Sequence, residues 1–534
     1  MSRPACSWLS CLVLSSALVS GCATIKPGAD YPRTPSTALA EPRQTPLGRQ
    51  TAVWAAAHPD RSGFRILNNG VDGLLARIEM IDLATRTLDI QYYIFRLDDS
   101  GSLISEAILR AADRGVRVRI LLDDGDTVPG DEKIVALDAH QNIEVRIYNP
   151  FVYRGHSNML RAGEFALRGG SVDYRMHNKL FVTDNAIALT GGRNVGDEYF
   201  QIDAASYFGD VDLFAAGPIV RQMSDTFDEY WNGGPTVPVR ALVPTAHDPA
   251  ALQALRQALA SFKRGVRAQG VDYIARLKSG EPVTGILAER QPLAWAKAQL
   301  VSDSPDKRRI ARGDEWGSTS FKPVAEAMAQ AQRELVIVTP FFVPGRDGVA
   351  LLQSLRERGV RVRILTNSLA ATPEPIVHSA YRRYRAQLLK MGVELYEVRS
   401  QLGSPRGSGT SSEVLTRHGH YSLHAKLFVF DRQRVFLGSM NFDKRSENIN
   451  TEIGALIDSH ELADQVTRRF DAIAQPLNSY ALKLIPAQGG VPEHLNWLTY
   501  ENGQAVVYDK EPAAGPWQRL WVDLMALYPF DGEL

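Results

Sequence analysis

"HNKLFV" at 177–182 returns as "HAKLFV" at 424–429. The separation is 247 positions (424 against 177), and "RGVRVRIL" at 114–121 returns at 358–365 with a separation of 244 (358 against 114). Two long matches at nearly one offset mark a duplicated unit, which reorganises the reading of everything else. The first copy opens with "LLARIEMIDLATRTLDIQYYIF" (74–95), a helical pattern passing into a β-rich run. A helix-spaced stretch at 102–115 follows, closed by Gly115, and then the strand "VRVRILLD" (116–123). The second copy runs through 323–343 and 348–359 into "VRVRILTN" (360–367). After each repeated phrase comes a helix, at 217–232 and at 460–475. This order predicts an α/β fold of two halves related by a pseudo-two-fold, each a mixed sheet flanked by helices.

In a strand alternate side chains face the same way, so His177 and Lys179 project together, as do His424 and Lys426. Past each Lys the run stays apolar, as in a strand buried on both faces. A buried cation there is costly unless an anion joins it. "TDNA" (183–186) and "FDRQR" (430–434) read as hairpin turns. The return strands, 186–192 and 435–439, bring Asn194 and Asn441 back beside the His–Lys ends. Gly191, Gly192 and Gly438 suit a close backbone approach. Asp184 and Asp431 lie five residues past their Lys, roughly 16 Å along a strand. That distance makes them structural acids of the turns, not partners of a ligand at the His–Lys end. The residue between His and Lys, Asn178 or Ala425, is expected to face away and to be free to differ.

The chain has 534 residues, enough for more than one core, with 60 basic and 60 acidic residues and a net charge of zero. That balance disfavours a dedicated nucleic-acid binder. The three cysteines, Cys6, Cys11 and Cys22, all fall in the first 22 residues. Arg3 and an apolar run from Ala5 to Val19 read as a signal peptide, too short for the roughly 17–25 residues of a membrane span. The run ends in Val19-Ser20-Gly21-Cys22, which resembles a bacterial lipoprotein box. The resemblance implies cleavage before Cys22, acylation of Cys22 and membrane anchoring in the cell envelope, facing the periplasm. Ala23 after it resembles lipoproteins sent to the outer membrane. The expected divisions are 1–21 signal peptide, 22–50 lipid-anchored tether, 51–235 first half, 236–319 linking region, 320–475 second half, and 476–534 a tail packed on the second half.

His-x-Lys-x4-Asp-x6-Gly-[Gly/Ser]-x-Asn, present twice and complete each time, resembles the phospholipase D superfamily. The residues are His177, Lys179, Asp184, Gly191, Gly192 and Asn194, then His424, Lys426, Asp431, Gly438, Ser439 and Asn441. The resemblance implies that both halves meet at one shared active site. Lys179, Lys426, Asn194 and Asn441 can hold a phosphodiester and the charge that develops on it, with no metal or other cofactor. One neutral His attacks phosphorus while the other, protonated, serves the leaving alcohol. By resemblance His177 is the nucleophile and His424 the acid. Each imidazole calls for an orienting carboxylate. Glu452 stands where the family has its second-half acid. Asp210, seven residues before Gly217, is the first-half candidate, with Asp212 competing.

"LDIQYYIF", "GGRNVGDEYF", "FVTDNAIALTGG" and "GSMNFDKRSENINTE" are most similar to the cardiolipin synthase branch. This implies phospholipid substrates and transfer of a phosphatidyl group to the alcohol of a second phospholipid, making cardiolipin from phosphatidylglycerol. Hydrolysis to phosphatidic acid is the alternative, followed by nuclease action or a non-catalytic scaffold. Tyr92, Tyr93, Phe341 and Phe342 sit at matching strand ends and suit either core or an acyl pocket. Arg175 is a candidate phosphate contact, His378 a candidate headgroup contact, and His418 and His420 are loop residues.

Overall fold

A computed structural model describes residues 28, 31–125, 131–155, 157–202, 205–243, 248–268, 280–307, 320–403 and 419–526. Cys22, the signal peptide and His418 lie outside the described residues. The first half contributes β1 (Ser62–Leu67), β2 (Thr87–Tyr92), β3 (Arg117–Asp123), β4 (Ile143–Tyr148), β5 (Leu180–Thr183), β6 (Ile187–Gly191), β7 (Ser206–Gly209), β8 (Asp212–Ala216) and β9 (Thr236–Pro238). After β10 (Ala294–Ser302), the second half contributes β11 (Glu334–Val338), β12 (Arg361–Asn367), β13 (Glu394–Val398), β14 (His420–Leu423), β15 (Leu427–Phe430), β16 (Arg434–Gly438) and β17 (Ile453–Asp458). The tail adds β18 (Ser479–Ile485), β19 (His494–Glu501) and β20 (Gln504–Tyr508).

In each half three parallel strands (β2, β3, β4; β11, β12, β13) are continued by an antiparallel hairpin and its neighbour (β5, β6, β8; β15, β16, β17). The repeated phrase forms the first hairpin strand both times. Its alternation sorts side chains between two cores: Leu180 and Val182, with Leu427 and Val429, face a core between the halves, while Phe181 and Phe428 enter the outer cores. The central core also takes Met223, Phe227 and Trp231 from the helix Pro218–Asn232, and Leu462, Val466 and Phe470 from the helix His460–Ile473.

The region 236–319, which carries no readable motif, supplies the seam. β10 pairs antiparallel with β1 through Phe64↔Ala294 and with β17 through Leu300↔Ala455, joining both halves into one 18-stranded sheet. The stretch expected as a tether also differs. From Thr34 onward it lies along the first half, where Arg146 Nη2 donates to Thr34 O at 2.7 Å and Arg119 Nη1 to Ser36 O at 2.8 Å. Ala38 N–H donates to Asp228 Oδ2 at 2.8 Å, and a helix begins at Pro46. Proline-rich chain without apolar periodicity reads as linker, yet arginines on two adjacent strands, β3 and β4, satisfy its carbonyls as well as water does. Among the described residues no helix is long and apolar enough to cross a membrane.

Candidate active site

Both hairpin turns place an Asp at left-handed φ, 52° at Asp184 and 52° at Asp431. Each carboxylate reaches across to the start of the neighbouring strand. Asp184 accepts from the N–H groups of Thr85, Arg86 and Thr87 (3.0, 2.8 and 2.9 Å) and from Thr85 Oγ1 (2.8 Å). Asp431 accepts from Gln332, Arg333 and Glu334 N–H (2.9, 2.7 and 3.0 Å). Three backbone donors converging on one carboxylate fix the start of β2 and of β11, far from either imidazole.

At the opposite end of each hairpin strand the halves pair with one another. Met176 bridges Thr451 in parallel register, with His177 N–H donating to Thr451 O at 2.9 Å. β14 pairs with β7 in parallel, Leu423 beside Gly209, and His424 N–H donates to Gly209 O at 2.9 Å. One residue further on, parallel register sets His177 beside Glu452 and His424 beside Asp210. His177 Nδ1 lies 2.9 and 3.1 Å from the Glu452 oxygens, and His424 Nδ1 lies 2.5 Å from Asp210 Oδ2. The orienting acids are therefore exchanged: each half supplies the carboxylate for the other half's histidine.

Asp212 is excluded by its own partners. It receives Arg77 at 2.8 and 3.1 Å and Arg193 at 3.1 Å, all buried, and Tyr92 belongs to that cluster because Arg77 Nε donates to its hydroxyl at 2.8 Å. Phe342 packs on Phe442 and Tyr381 in the core. Tyr93, by contrast, stands edge-on to the His177 ring at 5.3 Å with Lys179 Nζ 5.5 Å from its centroid. Tyr199 and Phe208 flank His424 at 5.2 and 5.1 Å.

Both lysines curl back on their own histidine: Lys179 Nζ donates to His177 O and Lys426 Nζ to His424 O, each at 2.6 Å. Lys426 Nζ also lies 3.0 and 3.1 Å from the two ring nitrogens of His424. Asn194 is pinned at both ends, its Oδ1 accepting from Ile94 N–H (3.2 Å) and its Nδ2 donating to Tyr199 Oη (2.9 Å). That leaves one amide hydrogen free. Asn441 is buried, and among the described residues its Oδ1 has no partner.

Several expectations are corrected. Arg175 is committed to Asp123 Oδ1 (3.1 Å) and Asn149 O (3.0 Å), so it serves the loop before His177 and not a phosphate. His378 is buried, receiving Arg385 Nη2 at 2.8 Å beside Glu511, away from any headgroup. His420 contacts Ala370 O at 2.7 Å. Asn178 is not a free position: it is fully buried and accepts from Thr451 Oγ1 at 3.0 Å across the halves.

Positioning residues that the motifs do not announce are Asp123 and Asn367, at equivalent ends of β3 and β12. Asp123 accepts from Met176 N–H at 2.7 Å, and Asn367 brackets Leu423, accepting from its N–H at 2.8 Å and donating to its O at 2.9 Å. They close the repeated "VRVRIL" strands, "LLD" against "LTN", and that shared place in the repeat was their only signal. Asp303, which accepts from Glu452 N–H at 3.0 Å, had none.

The site is tuned for an anion. Burial, then Lys179, then Lys426 from the other half hold His177 well below its ordinary value. Burial and Lys426 hold His424 at about 3. Burial and mutual repulsion lower Lys179 well below the ordinary lysine range, and burial brings Lys426 to about 8. Burial raises Glu452 to about 7, only partly offset by Lys179. At Asp210 burial is outweighed by His424, Lys426 and Arg193, so it stays ionised below the ordinary carboxylate range. A bound monoanion removes the repulsion and returns charge to the cations. Among the described residues no group of three or more His, Cys, Asp and Glu could hold a metal ion.

Comparison with known proteins agrees with this geometry. The family described as "Cardiolipin synthase, PLD-like domain" matches twice, over residues 77–231 and 324–474, one match per half. The chain is similar to "Cardiolipin synthase C" of Escherichia coli (strain K12), 36% identical over 478 residues that cover 89% of this chain and 96% of that protein. It is 26% identical over 436 residues to "Cardiolipin synthase" of Geobacillus kaustophilus (strain HTA426), covering 80% and 70%. Among solved structures, the phosphatidylserine synthase of Haemophilus influenzae Rd KW20 shares the fold, with a TM-score of 0.52 at 16% identity over 81% of this chain and 92% of that one. The chain belongs to the cardiolipin synthase family with the phospholipase D-like domain, and is an enzyme of the phospholipase D type.

Proposed function

We propose that the protein is a phosphatidyltransferase that makes cardiolipin from phosphatidylglycerol through a phosphohistidine. The observation that carries the reading is the exchanged pairing: two imidazoles, each held at Nδ1 by a carboxylate of the opposite half, within one cationic site. His177 is the better nucleophile. Its Nδ1–H donates to Glu452, which leaves the Nε2 lone pair for phosphorus, whereas Lys426 Nζ lies 3.0 and 3.1 Å from the two ring nitrogens of His424. Attack by Nε2 on phosphorus breaks the bond to the glycerol headgroup. His424, its imidazolium supported by ionised Asp210 once the anion is bound, gives that oxygen a proton and glycerol leaves. His424 then takes the proton of a second phosphatidylglycerol's terminal hydroxyl, whose oxygen attacks phosphorus and breaks the P–N bond, releasing cardiolipin. The lysines and the asparagine amides supply the donors for the equatorial oxygens. Val19-Ser20-Gly21-Cys22 supports acylation of Cys22 and a place in the cell envelope, with the outer membrane favoured by Ala23.

The test is incubation of the purified protein with headgroup- and acyl-labelled phosphatidylglycerol. Cardiolipin and free glycerol in equal amounts are expected. Phosphatidic acid as the main product would replace transfer with hydrolysis, and no product would remove both.

A further inference from the structure

We propose that two apolar helices flanking the catalytic histidines form a surface that docks directly on the phospholipid bilayer, independently of any acyl anchor. The proposal rests on the phospholipid reading of the site. On the helix Pro516–Met525, Trp517, Leu520, Trp521 and Leu524 are 78%, 47%, 61% and 51% exposed. Their spacing, i, i+3, i+4 and i+7, makes one continuous stripe turned to solvent. On the helix Asn158–Val172, Met159, Leu160 and Leu167 are 80%, 54% and 79% exposed and lie within one third of the helix circumference. Soluble proteins seldom leave apolar surface gathered in this way.

Place in the fold joins the two helices to the chemistry. Asn158–Val172 is tied by Arg161 to Asp124 O, next to Asp123, which holds the residue before His177. Pro516–Met525 is tied by Gln518 Nε2 to Leu369 O at 2.9 Å and by Val522 packed on Leu369, two residues past Asn367, which holds the residue before His424. One helix comes from the segment ahead of the first motif and the other from the tail. Both cover the carboxyl end of their half's RVRIL strand, the end that carries the histidines.

Composition selects the occupant. Indole rings concentrate where hydrocarbon meets headgroups, with apolar neighbours inserted below them. Arg382, Arg383 and Arg519 border the tryptophan stripe, with Asp523 and Glu511 both paired to Arg382, and the other helix carries Arg161 and Arg168, the latter paired with Glu164. Long guanidinium side chains can remain at headgroup level while apolar neighbours enter the acyl layer. A second copy of the chain would need a self-complementary surface, whereas a bilayer of substrate needs only this apolar stripe with guanidinium groups at its margin.

The test uses the full chain with vesicles of phosphatidylglycerol brominated on its acyl chains, reading tryptophan quenching, and turnover of the same lipid in vesicles against a short-chain monomeric form. Wild-type emission should be quenched, and Trp517→Ala with Trp521→Ala should remove most of that quenching. The double variant should lose about tenfold or more in vesicle turnover while keeping turnover of the monomeric lipid; Leu160→Ser with Leu167→Ser should show the same split. Equal quenching in the double variant, unchanged vesicle turnover, or a lipid-free dimer that the double variant converts to monomer would each overturn the proposal. Quenching in wild type without turnover of either lipid form would fail the catalytic reading and leave the docking surface standing.

Discussion

Replacing Glu452 by glutamine separates the structural and chemical roles of a single buried carboxyl. Glu452 is fully buried, faces His177 Nδ1, and accepts from Ser439 Oγ and from Ser446 Oγ, the latter at 2.9 Å. Burial lifts it from 4.5 to about 7. A carboxyl that holds its proton more tightly folded than unfolded stabilises the fold below its unfolded value, and that stabilisation is lost as pH rises through about 7. The interval from 4.5 to about 7 corresponds to about 3 kcal/mol. Glutamine keeps the shape and removes the titration. For a chain of this length each kcal/mol moves Tm by about 1–2 °C, so the variant's Tm relative to wild type should climb by about 3–6 °C between pH 5 and pH 8. Phosphatidyl transfer should fall roughly 10²–10⁴-fold at pH 8, where Glu452 is ionised and orients His177, and by less at pH 5. Thermal unfolding at the two pH values and initial rates on phosphatidylglycerol measure both. A Tm gap that is the same at both pH values to within a degree would refute the burial argument, and near-normal turnover would refute the orienting role.

His177→Ala should abolish turnover by about 10³-fold or more on any diester, whereas His424→Ala should recover on a diester with an acidic phenol as leaving group, which needs no proton; the reverse pattern would exchange the two roles. Asp184→Ala and Asp431→Ala should each cost about 2–3 kcal/mol in denaturant unfolding, since three backbone donors lose their acceptor, with kcat of the folded protein unchanged. Asp212→Asn strands two buried guanidinium groups and should cost about 3–5 kcal/mol of stability, while Asp210→Asn should fold and lose catalysis. With Lys426 at about 8, kcat/KM for an anionic lipid should fall above about pH 8, and Lys426→Arg should carry that limb upward.

The repeat, the strand character of "KLFV" and the remoteness of Asp184 and Asp431 from the histidines could all be read from the chain. They follow from interactions over a few residues: the pleat sets which side chains share a face, and turn residues with left-handed φ end the strand. Family resemblance supplied the histidine, lysine and asparagine set. The choice between Asp210 and Asp212 could not be made this way, because both are acids two positions apart on the approach to one helix. Their environments differ only through Arg77 and Arg193, which arrive from elsewhere. Asn178 was misread for the same reason, since its partner Thr451 lies 273 residues away.

Sequence by itself determined that two equivalent units exist, and the motif resemblance named the residues expected to carry the chemistry. Tertiary structure alone decided that the units exchange their acids, His177 with Glu452 across 275 residues and His424 with Asp210 across 214. The physical reason is parallel pairing between the halves at Met176↔Thr451 and Leu423↔Gly209, a register no local pattern encodes. It exists because β10, from a stretch with no motif at all, stitches the two sheets into one.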